Sequence, residues 1–380
     1  MRIVHVTPHL PPDQAANALL PHHLGEWTRE RGDTAQFIAH PPVGRPPDAR
    51  GDVTWMPRTP RTWAQRVFRT GSIGNALRIR RDATPLLATA DIVHVHSNGL
   101  LPELSAKIAR RLGKPVVLTL YGTEIWHYRR KPVVDLFTEA YRHADAVTFY
   151  SQRLLDRARE LGLVRPGCSV IYPPVAPSFR FHDQTATLDV RRALGLTAAN
   201  VLVNVKRLHP LAGQRYLLEA MAPIVRAHPD THLVICGTGA LLPELQAVAR
   251  SSGVESHVTF AGLVDNALVA RYCAAADLFV LPSRLEALPT VAVEALASGT
   301  RVVSSDNPGG VELHGVFGDD VAVVPRETVT PLADAIIAAL AQKRRTSPQT
   351  RDAIETQFRA APIAGHYWNV YASVTRKKAI

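Results

Sequence analysis

Short β-branched runs alternate with helical segments along almost the whole chain, and this alternation restricts the fold more than any other feature. RIVHVTP opens the series, and the runs Ala35–Ala39, Asp91–His96, Pro115–Leu120, Ala146–Tyr150 and Ser169–Tyr172 continue it. Between them stand helical patterns over Ala18–Arg31, Pro102–Leu112, Val133–His143 and Gln152–Leu161. Strand and helix in strict turn predict a parallel, doubly wound sheet. The pattern stops at YPPVAPSFRFHDQT, residues 172–185, where three prolines disallow regular structure and mark a linker. A second alternating series begins with Val201–Val205 and runs through the strand Val321–Val324. The fold class is therefore α/β, with two Rossmann-like domains: residues 1–175 and, after the linker, residues 180–358. The closing helix, about 360–380, carries Tyr367, Trp368 and Tyr371 at helical spacing; it either returns to the first domain or is a plain C-terminal core helix. Ligands of such sheets bind beyond the carboxyl ends of the strands, so two facing sheets predict an interdomain cleft.

A chain of 380 residues with 46% hydrophobic and 20% charged residues has material for two cores and excludes a disordered or fibrous protein. The charge of +11 is unevenly placed. Residues 1–178 hold 24 Lys and Arg against 15 Asp and Glu, while residues 179–380 hold 20 against 18. Something anionic is expected at the first half. Residues 58–81 concentrate the excess: Arg58, Arg61, Arg66, Arg69, Arg78, Arg80 and Arg81 alternate with Trp63, Val67, Phe68, Ile73 and Leu77. That segment suits peripheral contact with an anionic membrane or is a solvated arginine-rich face. No nucleic-acid recognition module is evident. Cys168, Cys236 and Cys273 have neither metal-ligand nor disulfide-framework spacing, and no signal peptide or membrane span is read, so a cytoplasmic protein is expected.

Four segments carry chemistry. In PSRLEALPTVAVEALASGTRVV, Glu286 and Glu294 flank a helix start near Thr290, where the amides around Thr290 and Val291 suit a phosphate oxygen. Lys206 and Arg207 stand where a strand enters a loop, the place for cations that neutralise a diphosphate. In CGTGALLPEL, Gly237 and Gly239 permit close backbone approach to a ligand, but Leu242 occupies the third glycine of a dinucleotide fingerprint. NAD and FAD are discounted. In NPGGVEL, Gly309–Gly310 reads as a turn bordering the same pocket.

These blocks, in this order, resemble the retaining glycosyltransferases of family 4, whose fold is GT-B. The resemblance implies a transferase that moves a sugar from a nucleoside-diphosphate donor, its co-substrate, to an acceptor on the N-terminal domain. It needs no further cofactor and no metal. By that resemblance Glu286 lies near the donor sugar, Glu294 holds the ribose, Leu288, Thr290, Val291 and Gly310 contact sugar and phosphate, and Val264 stands on the nucleobase side. Arg207 matches the diphosphate arginine. The family's lysine position is Ala212; either Lys206 supplies the missing cation or the site runs with one fewer. Tyr121 occupies the place of a histidine that contacts the reacting sugars, and Glu124 follows in the same block. His94 and His96, on one face of a strand, are placed near the acceptor or in the core. Two histidines alone make no metal site, and no Asp-x-Asp occurs. The acceptor is a small molecule or a lipid-linked saccharide. Rival readings are a GT-B sugar-nucleotide epimerase and a degenerate, non-catalytic subunit.

Overall fold

The computed structural model describes residues 1–13, 16–42, 50–58, 71–130 and 135–376. These residues divide into two units, Met1–Pro173 with Ala361–Ile380, and Pro174–Ala360.

The first unit contains seven strands: β1 (Arg2–Thr7), β2 (Thr34–Ala39), β3 (Val53–Trp55), β4 (Ile92–His96), β5 (Val116–Leu120), β6 (Ala146–Phe149) and β7 (Cys168–Val170). All pair in parallel, in the order β3-β2-β1-β4-β5-β6-β7. Alternate residues of each strand serve opposite faces. On one face Val4, Val6, Val93, Val95, Leu118 and Leu120 meet two helices: Ile79, Ala83 and Leu87 come from α2 (Gly71–Thr89), and Leu101 and Ile108 from α3 (Leu100–Arg111). On the other face Ile3, Ile92, Val117 and Ala146 meet Leu20 and Leu24 of α1 (Ala16–Glu30). The same face takes Ile363, Tyr367, Tyr371 and Val374, so the C-terminal aromatic helix returns to the first sheet. Three short helices complete the unit, α4 (Thr123–Trp126), α5 (Leu136–His143) and α6 (Gln152–Glu160). Asp135 and Ser151 start the last two by accepting the amides of Thr138 and Leu154.

The second unit holds β8 (Asn200–Val205), β9 (Thr231–Cys236), β10 (Val258–Gly262), β11 (Leu278–Leu281), β12 (Arg301–Ser305) and β13 (Val321–Val324), all parallel, in the order β10-β9-β8-β11-β12-β13. Its helices are α7 (Gln184–Leu194), α8 (Gln214–Ala227), α9 (Leu242–Ser251), α10 (Asn266–Ala275), α11 (Thr290–Ala297), α12 (Pro308–Phe317), α13 (Thr330–Ala341) and α14 (Pro348–Gln357). The remaining helix, α15 (Ala360–Arg376), is the aromatic one just described. The strand order reverses between β1 and β4 in one sheet and between β8 and β11 in the other. Each reversal opens a crevice at the carboxyl edge, where ligands of such sheets bind.

Several local expectations change. The proline-rich stretch ends sooner than residue 185, because Asp183 caps α7 by accepting the Ala186 amide. Gly309–Gly310, expected as a turn, lies in the ten-residue helix Pro308–Phe317. Its glycines sit in the first turn, where Asn307 accepts the Gly310 amide and outweighs their low propensity. The arginine-rich segment lies outside the described residues over 59–70; its residues 71–81 form the start of α2, with Ile73 and Leu77 exposed. Among the described residues no helix is long and apolar enough to cross a membrane.

Candidate active site at the carboxyl edge of the second sheet

The loops after β8 and β11 lie on the two sides of the second crevice. Lys206 and Arg207 begin the first, and Glu286 is in the second. Lys206 Nζ lies 2.5 Å from Glu286 Oε1, an ion pair that closes across the reversal point. Arg207 is exposed, and no carboxylate among the described residues pairs with it. One guanidinium is thus left for a ligand beside a carboxylate already held by a cation.

The backbone under these groups is fastened by residues that the sequence did not single out. Asn204 Nδ2 donates to the Val280 carbonyl at 2.8 Å and ties β8 to β11. Gln214 Nε2 donates to Asn204 Oδ1 and to the carbonyls of Lys206 and Arg207, at 3.3 to 3.4 Å. Asn307 Nδ2 donates to the Ser283 carbonyl at 2.9 Å, and the Gly309 amide donates to the Glu286 carbonyl at 3.0 Å. A polar residue inside an otherwise apolar run, as in VLVNV, is the signal that marks Asn204.

Helix α11 starts at Thr290 without a side-chain cap. The Pro289 carbonyl takes the amides of Ala292 and Val293, so those of Thr290 and Val291 have no acceptor among the described residues. Unpaired donors at the positive end of a helix suit an anionic oxygen. Leu288 is buried just before them. Glu294 follows one turn inside α11, with no ion-pair or hydrogen-bond partner among the described residues; burial raises its carboxyl from the usual range to about 7. Val264 is half-buried in the loop after β10, next to the exposed Leu263.

The glycines here answer to packing rather than to ligand approach. A Cβ on Gly237 would stand 2.1 Å from the Lys206 carbonyl oxygen, and one on Gly239 2.1 Å from that of Leu208. Both let the β9 loop lie against the β8 loop. Gly310 is buried with its open side toward the Ser305 carbonyl, and its neighbour Gly309 is the one that touches Glu286.

In the first unit the structure takes the remaining candidates away from a ligand. His94 and His96 are fully buried and meet His5, which pairs with His94 in the β1–β4 register. Ligating atoms of the three lie within 4.8 Å of one another, so the third histidine of a metal set was missed in sequence. Hydrogen bonds occupy most of those nitrogens: His94 meets the hydroxyls of Tyr371 and Thr119, each at 2.7 Å, and His96 meets Tyr121 and His5 at 2.8 and 3.1 Å. Burial lowers the His5 pKa to about 3 and holds His94 and His96 well below their usual range, so all three are neutral at pH 7. Tyr121 therefore turns its hydroxyl into the core instead of toward reacting sugars, and its ring packs 4.5 Å from that of Tyr150. Glu124 is a buried staple: it accepts from Ser97 Oγ at 2.5 Å and from the Gly122 amide at 2.8 Å. That grip holds Ser97 at a positive φ of 66°.

Comparison with known proteins identifies the family. Residues 189–357 match the model for glycosyl transferases group 1, and residues 21–179 match that for Glycosyltransferase Family 4. Over 296 residues the chain is 30% identical to a GDP-mannose-dependent alpha-(1-6)-phosphatidylinositol monomannoside mannosyltransferase from Mycolicibacterium smegmatis, covering 74% of this chain and 73% of that one. The chain belongs to the family 4 glycosyltransferases. This glycosyltransferase is also 25% identical to an alpha-D-kanosaminyltransferase from Streptomyces kanamyceticus, over 74% of each chain. Its fold is that of a sucrose-phosphate synthase from Thermosynechococcus elongatus, with a TM-score of 0.79 at 20% identity over 99% of this chain and 100% of that one.

Proposed function

We propose that the protein is a retaining glycosyltransferase that moves a sugar from a nucleoside-diphosphate donor, bound by the second unit, to an acceptor bound by the first. The observation that carries this reading is the meeting of Lys206 and Glu286 across the β8–β11 reversal, with Arg207 unpaired beside them. As the bond to the anomeric carbon breaks, negative charge grows on the leaving diphosphate. Arg207 and Lys206 offset it, and the Thr290 and Val291 amides take phosphate oxygens. Preorganised positive groups of this kind are the largest single contribution in many enzymes.

Glu286, neutralised by Lys206, is a hydrogen-bond acceptor for sugar hydroxyls rather than a free nucleophile. That supports attack on the same face as departure, with the leaving phosphate accepting the proton of the acceptor hydroxyl. Glu294, desolvated and unpaired, accepts from the ribose hydroxyls, while Val264 and Leu288 line the nucleoside and sugar ends. The charge of the diphosphate is met by the chain's own cations and amides.

The test is transfer by the purified chain with UDP-, GDP-, ADP- and dTDP-sugars, beginning with GDP-mannose because a relative uses it. A matched donor stabilises the fold by mass action and raises the melting temperature. Arg207→Ala and Glu294→Ala should each abolish most donor turnover. Unchanged turnover in both, or complete conversion of donor to an epimer without acceptor, overturns the reading.

A further inference from the structure

The carboxyl ends of β1 to β4 in the first unit surround a cavity of about 320 Å³. It straddles the β1–β4 reversal, and Pro8, His40, Arg58, Arg78, Asn98 and Gly99 are among its walls. Its size is at the small end of ligand pockets, which run from roughly 300 to 1,000 Å³.

The cavity's two arginines, Arg58 and Arg78, have no direct ion-pair partner among the described residues, and Arg78 makes only a long bond, 3.4 Å, to the Pro57 carbonyl. The nearby acids make their direct contacts with other groups: Asp82 pairs with Arg81 at 2.6 Å, with Arg78 acting on it only through its charge, and Glu103 accepts the amide of the wall residue Gly99 at 3.0 Å. Helix α3 starts at the wall with its positive end met by the Glu103 carboxylate, so the arginines carry the cavity's positive charge. His40 Nδ1 donates to the Met56 carbonyl at 2.6 Å, which leaves Nε2 of the neutral ring as an acceptor. Burial, opposed by that hydrogen bond, lowers the His40 pKa, and the charge of Arg58 lowers it further.

We propose that this cavity binds the phosphate-bearing end of the acceptor, with the phosphate on Arg58 and Arg78 and a polyol hydroxyl on His40. The assignment rests on the glycosyltransferase reading and accounts for positive charge in the first unit that a donor on the second leaves unused. An amine-bearing acceptor would meet the same two arginines with repulsion. The phosphate is either on a soluble ester or on a lipid headgroup, and the chemistry of recognition is shared.

The experiment is calorimetric titration of the full chain with glycerol phosphate, with glycerol at matched ionic strength as the neutral probe. An Arg207→Ala background removes the donor-side guanidinium. Saturable binding of glycerol phosphate alone is expected, weakened about tenfold or more by each of Arg58→Gln and Arg78→Gln, since bonds to a charged group are the strong ones. Sedimentation with phosphatidylinositol vesicles against phosphatidylcholine vesicles is the second arm. Arginine-dependent retention on the former, released by glycerol phosphate, assigns a lipid headgroup; binding of the soluble ester alone assigns a soluble acceptor. Equal binding by the Arg58→Gln, Arg78→Gln chain, or equal binding of glycerol, overturns the proposal. Nucleotide binding by the unmutated chain is measured beside it. A chain that binds nucleotide but not glycerol phosphate loses this cavity assignment and keeps the transferase reading; the reverse result does the opposite.

Discussion

Lys206 and Glu286, eighty residues apart in sequence, touch at 2.5 Å because β8 and β11 are neighbours at the point where the strand order reverses. The pair fixes the lysine next to Arg207 and fixes the carboxylate of a residue whose backbone carbonyl accepts the Gly309 amide, so each partner orients the other. Lys206→Gln and Glu286→Gln should each lower kcat/KM by about 10²-fold or more, the size of a lost transition-state contact. The double variant should lose far less than the product of the two, because residues in contact do not act additively. Steady-state kinetics on the three variants checks this, and strictly multiplicative losses would show that the two groups work apart.

Glu294 gives a pH dependence of definite sign. Its folded-state pKa is raised by burial to about 7, above the 4.5 of a free glutamate. Below 4.5 both states are protonated and the group has no effect; as pH rises toward 7 the unfolded chain ionises first and the native state loses stability. Glu294→Gln should therefore match the unmutated chain near pH 4 and exceed it by about 1–3 kcal/mol at pH 8. Urea denaturation at the two pH values measures the difference. The same variant should bind donor more weakly above pH 7, where the ionised carboxylate would have accepted the ribose hydroxyls.

The strands were legible because β-branched residues cluster in them, and Lys206, Arg207, Glu286 and Glu294 because they sit at strand ends and a helix start. Other features depend on partners that spacing does not reveal. His5 is 89 residues from His94, and only the β1–β4 register puts the two rings on one face. Tyr121 looks available in sequence, but His96 from the neighbouring strand takes its hydroxyl. Gly237 and Gly239 carry the signature of a ligand loop, yet what a side chain there would strike is the backbone of Lys206 and Leu208. The reading of Gly309–Gly310 as a turn failed because Asn307, one residue before the helix, caps it and outweighs the two glycines.

The buried histidines should make the first unit acid-sensitive. Each is neutral when folded and takes a proton readily when unfolded, so the stability it contributes is full above pH 6.5. That stability is lost as pH falls toward the folded pKa, about 3 for His5. Each histidine adds about 1.4 kcal/mol per pH unit to the slope in that window. His5→Phe keeps a ring against Phe37, which the imidazole stacks on at 5.4 Å, and removes one titrating group. The variant's stability should fall with pH by about one histidine's slope less between pH 6 and 4. A slope equal to that of the unmutated chain would mean that His5 is protonated in the native state.

Gly213 sits where the β8 loop enters α8, at φ 70°, and a Cβ there would be 2.0 Å from the Pro282 carbonyl oxygen. Gly253 has nearly the same φ, 67°, with nothing within 4 Å. Alanine at Gly253 thus pays only for the left-handed backbone, about 1 kcal/mol. Alanine at Gly213 adds a clash with backbone that cannot rotate aside, for about 2–4 kcal/mol in all. The melting temperature of the second unit should fall by roughly 5–15 °C for Gly213→Ala and by only a few degrees for Gly253→Ala. Function should separate them further. Relief of the clash moves Pro282, four residues before Glu286, away from the Lys206–Arg207 loop and stretches the ion pair across the crevice. Gly213→Ala should therefore raise the donor KM and lower kcat even at temperatures where it is fully folded, while Gly253→Ala leaves both unchanged. Equal kinetics in the two folded variants would show that the approach of these loops does not set the donor geometry.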